Sequence, residues 1–311
     1  MKAQVKSIRI PENTRLICIS DIHGEMDLFK KLLDKVGFCD DDVLVLLGDL
    51  YNKGSQSHSC LKFIIEMDAR PNVHVLRGNG DRGTEDYFTT TERAWMEALP
   101  HIIDGGEYVF AHAGLKPGSL HEQDVGFVTA AASFLDNAPA FEKWLVVGHW
   151  VVNSYCREIP CLNPIINEAK RIISIDGGCW WQNGGQLNAF MMQNGKFYQD
   201  FVDKFQMVKV KTATEGKRGT LSFTWHDRFA KIVKPGPELS LVHHTKSGKE
   251  ILAANSAIYQ DHDGNTCADA TDHWLSVNPG DIVSVVERFS DRVFAKSSGE
   301  CGWIWLDIIE I

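Results

Sequence analysis

Five short apolar runs in the first half of the chain each end in a residue with metal-ligand chemistry, and the pattern recurs in order. Residues 16–20 lead into Asp21-Ile22-His23-Gly24, and residues 43–47 into Gly48-Asp49. Residues 73–76 lead into Arg77-Gly78-Asn79, residues 108–111 into His112-Ala113-Gly114, and residues 145–147 into Gly148-His149. Short runs of this kind, rich in Val, Ile and Leu and bounded by Gly, predict buried strands. Open α/β architectures place their sites in the loops at the carboxyl ends of such strands. Asp21, His23, Asp49, Asn79, His112 and His149 are therefore expected to converge. A mixture of oxygen and imidazole donors suits Mn, Fe or Zn.

Six such residues suffice for two divalent ions. Two cations about 3.5–4 Å apart need a shared ligand, and Asp49, which stands alone in its motif, is the natural bridge. Asp21 and His23 would complete one half-site; Asn79, His112 and His149 would complete the other. Any one of these residues alone would read as a turn residue, a helix cap or a packed ring. Five strand ends in succession are not explained that way.

The order Asp-x-His-Gly, Gly-Asp-x-x-x-Lys-Gly, Gly-Asn-x-Asp, His-Ala-Gly, Gly-His resembles the calcineurin-like metallophosphoesterases. It is most similar to their phosphoprotein-phosphatase branch, which includes bacterial protein phosphatases and dinucleoside tetraphosphate hydrolases. The resemblance spans roughly residues 14–200, where Asp176-Gly177-Gly178-Cys179 and Gly184-Gly185-Gln186-Leu187-Asn188-Ala189 match the closing strands of the small bacterial members. It implies an α/β fold, a β-sandwich flanked by helices. It also implies a dinuclear centre whose bridging hydroxide attacks phosphorus in line while the ions neutralise charge on the phosphoryl oxygens.

The chain departs from that pattern at two linked places. The usual Gly-Asn-His-Glu/Asp is here Gly78-Asn79-Gly80-Asp81, so the His that protonates the leaving group in the family is Gly80. The Asp that pairs with that His is Asn52, and the phosphate-clamping Arg is Lys53, which keeps the charge and loses the bidentate fork. Three explanations stand open. The substrate has a good leaving group, such as a phosphoanhydride or aryl phosphate; or Asp81, His58 or a metal-bound water serves as the acid; or the domain is a weak catalyst, a phosphate-binding scaffold. Lys53 and Arg82, with Arg77, are the expected phosphate-binding cations.

Composition bounds the partners. The chain has 311 residues and a net charge of −9, which argues against a general nucleic-acid surface and leaves a phosphorylated protein or small molecule as the expected substrate. Its eight cysteines are scattered without a Cys-x-x-Cys, as expected for reduced thiols in the cytoplasm. The amino terminus lacks a hydrophobic signal core, and no apolar run approaches membrane-span length, so neither export nor a membrane partner is expected.

Leu28, Phe29, Leu32, Leu33 and Val36 form a helical stripe that Gly37 ends. Residues 55–69, 84–99 and about 122–137 predict further helices, and 171–200 two Gly-bounded strands closing the sheet as a meander. The catalytic domain is thus expected over 1–205 and a β-rich domain over 206–311. Residues 208–225 predict a hairpin turning at Glu215-Gly216-Lys217-Arg218-Gly219. From about 250 to 311, the Gly280-Asp281-Ile282 strand, the strand around Phe294 and the Gly302-Trp303-Ile304 ending resemble an SH3-like barrel. Phe294 stands where peptide-binding members begin a Trp pair, which argues against proline-rich ligands. Such a barrel binds a protein partner or covers a sheet edge; these two roles rank equally, and wall binding ranks below them. Trp180 and Trp181 are expected to cap the core, with stacking on a substrate ring the alternative; Trp150 is better placed to shape the pocket. Scattered His243, His244, His262 and His273 are expected to pack or face solvent.

Overall fold

The computed structural model describes residues 1–84, 86–180, 184–262 and 264–310. Trp181 lies outside the described residues. The chain folds as two compact units, one of Met1–Val152, Asn163–Trp181 and Gly185–Asp203, the other of Asn153–Leu162, Gln182–Gly184 and Lys204–Ile311.

In the first unit the strands are β1 (Val5–Ser7), β2 (Leu16–Ile19), β3 (Val43–Leu46), β4 (Val73–Val75), β5 (Ile102–Asp104), β6 (Tyr108–Ala111), β7 (Trp144–Val147), β8 (Ile165–Asn167), β9 (Ile172–Ser174), β10 (Leu187–Gln193) and β11 (Lys196–Val202). Helices α1 (Met26–Val36), α2 (Ser57–Asp68), α3 (Thr90–Ala98), α4 (Val125–Ala130) and α5 (Phe134–Asn137) connect them. One sheet runs β11-β10-β2-β3-β4 and the other β1-β5-β6-β7-β9-β8. β2, β3 and β4 are parallel, as are β6, β7 and β9.

The continuous apolar runs follow from burial on both faces. Leu16, Cys18, Val43 and Val45 face the space between the sheets, where they meet Phe110, Val146, Ile173 and Phe190. The alternate residues Ile17, Ile19, Leu44 and Leu46 pack instead under Phe29, Leu32, Cys60 and Ile64 of α1 and α2. α1 stops at Gly37, whose left-handed φ of 60° lets its N–H and that of Phe38 bond back to Asp34 and Leu33.

Three local expectations differ. Among the described residues, 84 and 86–89 are not helical: Thr89 accepts from the Glu92 N–H and Glu92 bonds back to the Thr89 N–H, and this capping box starts α3 at Thr90. The helix expected near 122–137 is two short ones, separated where Ser133 takes φ 46°. The closing meander is also divided. β10 and β11 form a hairpin around Asn194-Gly195, both at positive φ, whereas β9 pairs with β7 in the other sheet.

Among its described residues the second unit is all-β apart from single 3-10 turns. β12 (Gln206–Lys209), β18 (Ile282–Arg288), β19 (Arg292–Ser297) and β20 (Glu300–Trp305) form one sheet in that order. β13 (Ala230–Lys234), β14 (Leu239–His244) and β15 (Glu250–Ala254) form a second, and β16 (Ile258–Asp261) pairs with β17 (Gly264–Cys267). The hairpin expected over 208–225 is absent: Val210, Thr214 and Ser222 bridge instead to Ile309, Val277 and Thr271. The turn glycines are used elsewhere, with Gly216 N–H donating to Ser276 and Gly219 N–H to His273 Nδ1. Phe294 is buried against Trp303. His244 and His273 are buried and hydrogen-bonded inside this unit.

Candidate metal centre

The loops that leave β2, β3, β4, β6 and β7 meet at one end of the two sheets of the first unit. Asp21, His23, Asp49 and His149 all hold left-handed backbone conformations, with φ of 55°, 50°, 51° and 64°. Asp, Asn and His tolerate this region better than branched residues, yet it remains a cost that surrounding contacts must offset. Those contacts are visible. Asp21 N–H donates to the Gly48 carbonyl at 3.1 Å and His23 N–H to that of Asp49 at 2.8 Å. The His149 N–H donates to Asp21 Oδ2 at 2.9 Å. Two glycines permit the approach: a Cβ at Gly78 would lie 2.3 Å from Asp49 Oδ1, and one at Gly148 would lie 2.4 Å from Asp21 Oδ2.

The donor atoms cluster around Asp49. Its Oδ2 lies 3.6 Å from His23 Nε2 and its Oδ1 lies 3.5 Å from His112 Nε2. Asp21 Oδ1 lies 3.8 Å from His23 Nε2. Asn79 Oδ1 lies 3.1 Å from His112 Nε2, and the His149 ring centroid lies 5.1 Å from that of His112. Asp21, Asp49 and His112 each offer one ligand atom, all within 4.8 Å of one another. Separations of 3.5–3.8 Å exceed a hydrogen bond and suit two donors that share a cation.

The electrostatics agree with that use. Burial disfavours a charged Asp49, but the neighbouring imidazoles, His112 foremost, outweigh it and hold the carboxyl below its ordinary range. Burial likewise opposes a charged His112, and the Asp49 and Asp21 carboxylates reverse this and raise its pKa. Burial and His112 push His149 down to about 4, so its ring is neutral near pH 7 and carries a free lone pair. His112 Nδ1 faces the Leu47 carbonyl at 2.7 Å, which directs Nε2 to the centre. Carboxylate, amide and imidazole donors, buried and facing one another, fit divalent Mn, Fe or Zn.

The other expected residues fall differently. Asp81 is fully buried, and its carboxylate accepts from the N–H groups of Asp49, Leu50 and Gly78 at 2.8, 2.9 and 2.8 Å. Burial, with Asp49, pushes its pKa up to about 7. That geometry ties the Asp81 carboxylate to the backbone of the Asp49 loop. His58 pairs with Glu92 at 2.9 Å beside Tyr87 and Phe88. Arg82 is exposed, its Nε on the Asn79 carbonyl, and Arg77 binds the Asp81 carbonyl. Lys53 does reach the centre: its Nζ lies 3.3 Å from His23 Nε2 and 5.3 Å from the Trp180 ring. Trp180 is 38% exposed and its ring lies 6.5 Å from His23, so it flanks the centre and does not cap the core. The Trp150 ring lies 6.4 Å from that of His149.

One acid was missed. Asp176 follows β9 and is buried, and burial together with Asp21 pushes its carboxyl well above the usual range. Its Oδ1 accepts from Gly178 N–H at 2.8 Å, and Cys179 donates its thiol to the Asp21 carbonyl at 3.2 Å. The signal was present: residues 172–175 are a sixth apolar run ending in Asp-Gly.

Two α/β-connected sheets with a carboxylate–imidazole cluster at their shared carboxyl end define a metal-centred hydrolase class. The family model of the calcineurin-like phosphoesterases matches residues 14–283, and the chain belongs to that family. A symmetrical bis(5'-nucleosyl)-tetraphosphatase of Neisseria meningitidis is 32% identical over 120 residues, covering 32% of this chain and 43% of that protein. The protein of the same name from Acidovorax ebreus is 28% identical over 147 residues, covering 39% and 52%. The chain thus spans about half the length of these relatives. A solved structure described as that of "a putative diadenosine tetraphosphatase" superposes with TM-score 0.51 at 23% identity, over 64% of this chain and 98% of that one, a likeness of fold. Among the described residues no helix is long and apolar enough to cross a membrane.

Proposed function

We propose that the chain is a metal-dependent phosphoesterase that hydrolyses a phosphate ester or anhydride at a dinuclear centre, with phosphoanhydrides such as dinucleoside polyphosphates the best-supported substrates. The single observation that carries this is the division of the Asp49 carboxylate, one oxygen toward His23 and the other toward His112. The relatives named as tetraphosphatases support the anhydride choice. When bound, the ions supply Lewis acidity and an activated water.

The chain's own residues do the rest. Asp49 shares its two oxygens between half-sites, Asp21 and His23 on one side and Asn79, His112 and His149 on the other. Asp81, one of the three candidate acids, braces the Asp49 loop through its bonds to backbone N–H groups, which supports a positioning role. Lys53 brings positive charge beside His23, where phosphoryl oxygens would collect, and Trp180 offers an exposed ring for stacking. No imidazole stands at Gly80 to protonate a departing oxygen, so the centre suits leaving groups that depart without a proton. We further propose a cytoplasmic protein with a domain boundary near 205. In that reading the barrel from about 250 is SH3-like and docks a protein partner or covers a sheet edge.

The test is metal content together with a substrate panel on Mn-loaded protein: p-nitrophenyl phosphate and its bis ester, phosphoserine and phosphothreonine peptides, and dinucleoside tetraphosphates. About two ions per chain and preferred anhydride cleavage are expected. Specific phosphate binding without turnover on any member would turn the assignment to a scaffold; no specific metal in folded, loaded protein would end it.

A further inference from the structure

The two departures at Asn52 and Gly80 meet each other in space. Asn52 Nδ2 donates to the Gly80 carbonyl at 3.0 Å, and Asn52 Oδ1 lies 2.8 Å from His23 Nδ1. A carbonyl oxygen only accepts, so the Gly80 contact fixes which end of the Asn52 amide is nitrogen. The oxygen then necessarily faces His23, and His23 must carry its proton on Nδ1. A second neighbour agrees: Lys53 Nζ, a donor only, lies 3.3 Å from His23 Nε2, which must therefore present a lone pair. That lone pair lies 3.8 Å from Asp21 Oδ1 and 3.6 Å from Asp49 Oδ2.

We infer that Asn52 and Gly80 act as one positioning device, which locks His23 in the tautomer that offers Nε2 to the metal centre. The inference rests on reading the cluster as a metal site. Aspartate at 52 has no donor for the Gly80 carbonyl and would set an oxygen against it. A Cβ at position 80 would lie 2.5 Å from Asn52 Nδ2, so any side chain there displaces the amide. The backbone is tied into the same device, because the Gly54 N–H reaches both the His23 and the Asn52 carbonyls, at 2.8 and 2.7 Å. Loss of an outer hydrogen-bond partner of a ligating His typically lowers metal affinity about 10–100-fold.

The experiment uses the full chain. Long-range proton–nitrogen NMR of the metal-free protein reads the His23 tautomer, assigned with His23→Gln. Calorimetry with Mn(II) alone reads affinity. Wild type is expected as the Nδ1–H tautomer. Asn52→Ala is expected to mix the two tautomers and to weaken Mn binding about 10–100-fold, while the circular dichroism spectrum stays that of wild type. Gly80→Ala is expected to mix the tautomers likewise, and the double variant to be no more mixed than either single one. A Nε2–H tautomer in wild type, or an Asn52→Ala variant with an unchanged tautomer ratio, would overturn the inference. Because the tautomer is read without metal, a wild type that fails to bind Mn would count against the metal reading alone, with the tautomer still deciding this inference. If Asn52→Ala does not fold, Gly80→Ala carries the same readout.

Discussion

In the proposed dinuclear centre Asp49 would serve both halves, its Oδ2 toward His23 and its Oδ1 toward His112, and Asp21 mainly the half of His23, toward which its Oδ1 lies. Asp49→Asn is therefore expected to weaken both ions, and Asp21→Asn mainly one, which stepwise Mn titration of the two variants would resolve. At the reacting end, a centre without an imidazole at 80 is expected to be sensitive to leaving-group basicity. Its log kcat should fall steeply across a series of aryl and alkyl phosphates as leaving-group pKa rises, since general acid catalysis is worth about 10²–10⁴ in rate. A flat series would reveal another acid. The donor types that converge were legible from residue identity after apolar runs. The role of Asp81 was not, because a carboxylate that caps backbone N–H groups and one that donates a proton look alike in a motif.

At the scale of elements, the first strand–helix–strand unit is tied by a side-chain clasp. Arg15 Nε and Nη2 donate to the Asp42 carboxylate at 2.8 and 2.6 Å, and its guanidinium also reaches the Val36 and Gly37 carbonyls at the end of α1. Burial would raise the Asp42 carboxyl, but its bonds to Arg15 prevail and hold it below the ordinary range. A carboxyl depressed in the folded state stabilises the fold above its unfolded pKa, about 3.9. That contribution is lost as pH falls through the lower folded value. Asp42→Asn is expected to cost on the order of 2 kcal/mol near pH 7 by urea unfolding, with the difference from wild type shrinking below about pH 4. At the other end, Thr89→Ala removes the capping box of α3 and should cost about 1 kcal/mol. The helical stripe of α1 was readable because it repeats at 3.6 residues over several turns. The start of α3 was displaced because one reciprocal pair of bonds, Thr89 with Glu92, outweighs propensity in the preceding residues.

For the whole molecule, the second unit depends on a core in which Trp303 packs against Phe289 and Phe294 and donates its indole N–H to the Thr271 carbonyl at 2.8 Å. Trp303→Ala is expected to destabilise that unit by roughly 3–5 kcal/mol, seen as an earlier unfolding transition in calorimetry; an unchanged profile would mean that the cavity collapses without loss. The sequence by itself determined the two-faced strands, the α1 stripe and the order of the donors. These are written in local apolar periodicity and in residue types that follow it. The all-β character after residue 205 was legible in the same way. Only the tertiary structure decided what depends on partners distant in the chain. Val210 pairs with Ile309 in place of a local hairpin, β9 joins β7 in place of β10, and Asp176 comes within the field of Asp21. The meeting of Asn52, Gly80 and His23 is of this kind. Each was a separate substitution in the motifs, and the hydrogen bonds that make them one unit exist only because the β2, β3 and β4 loops close on each other across 29 and 28 residues of chain.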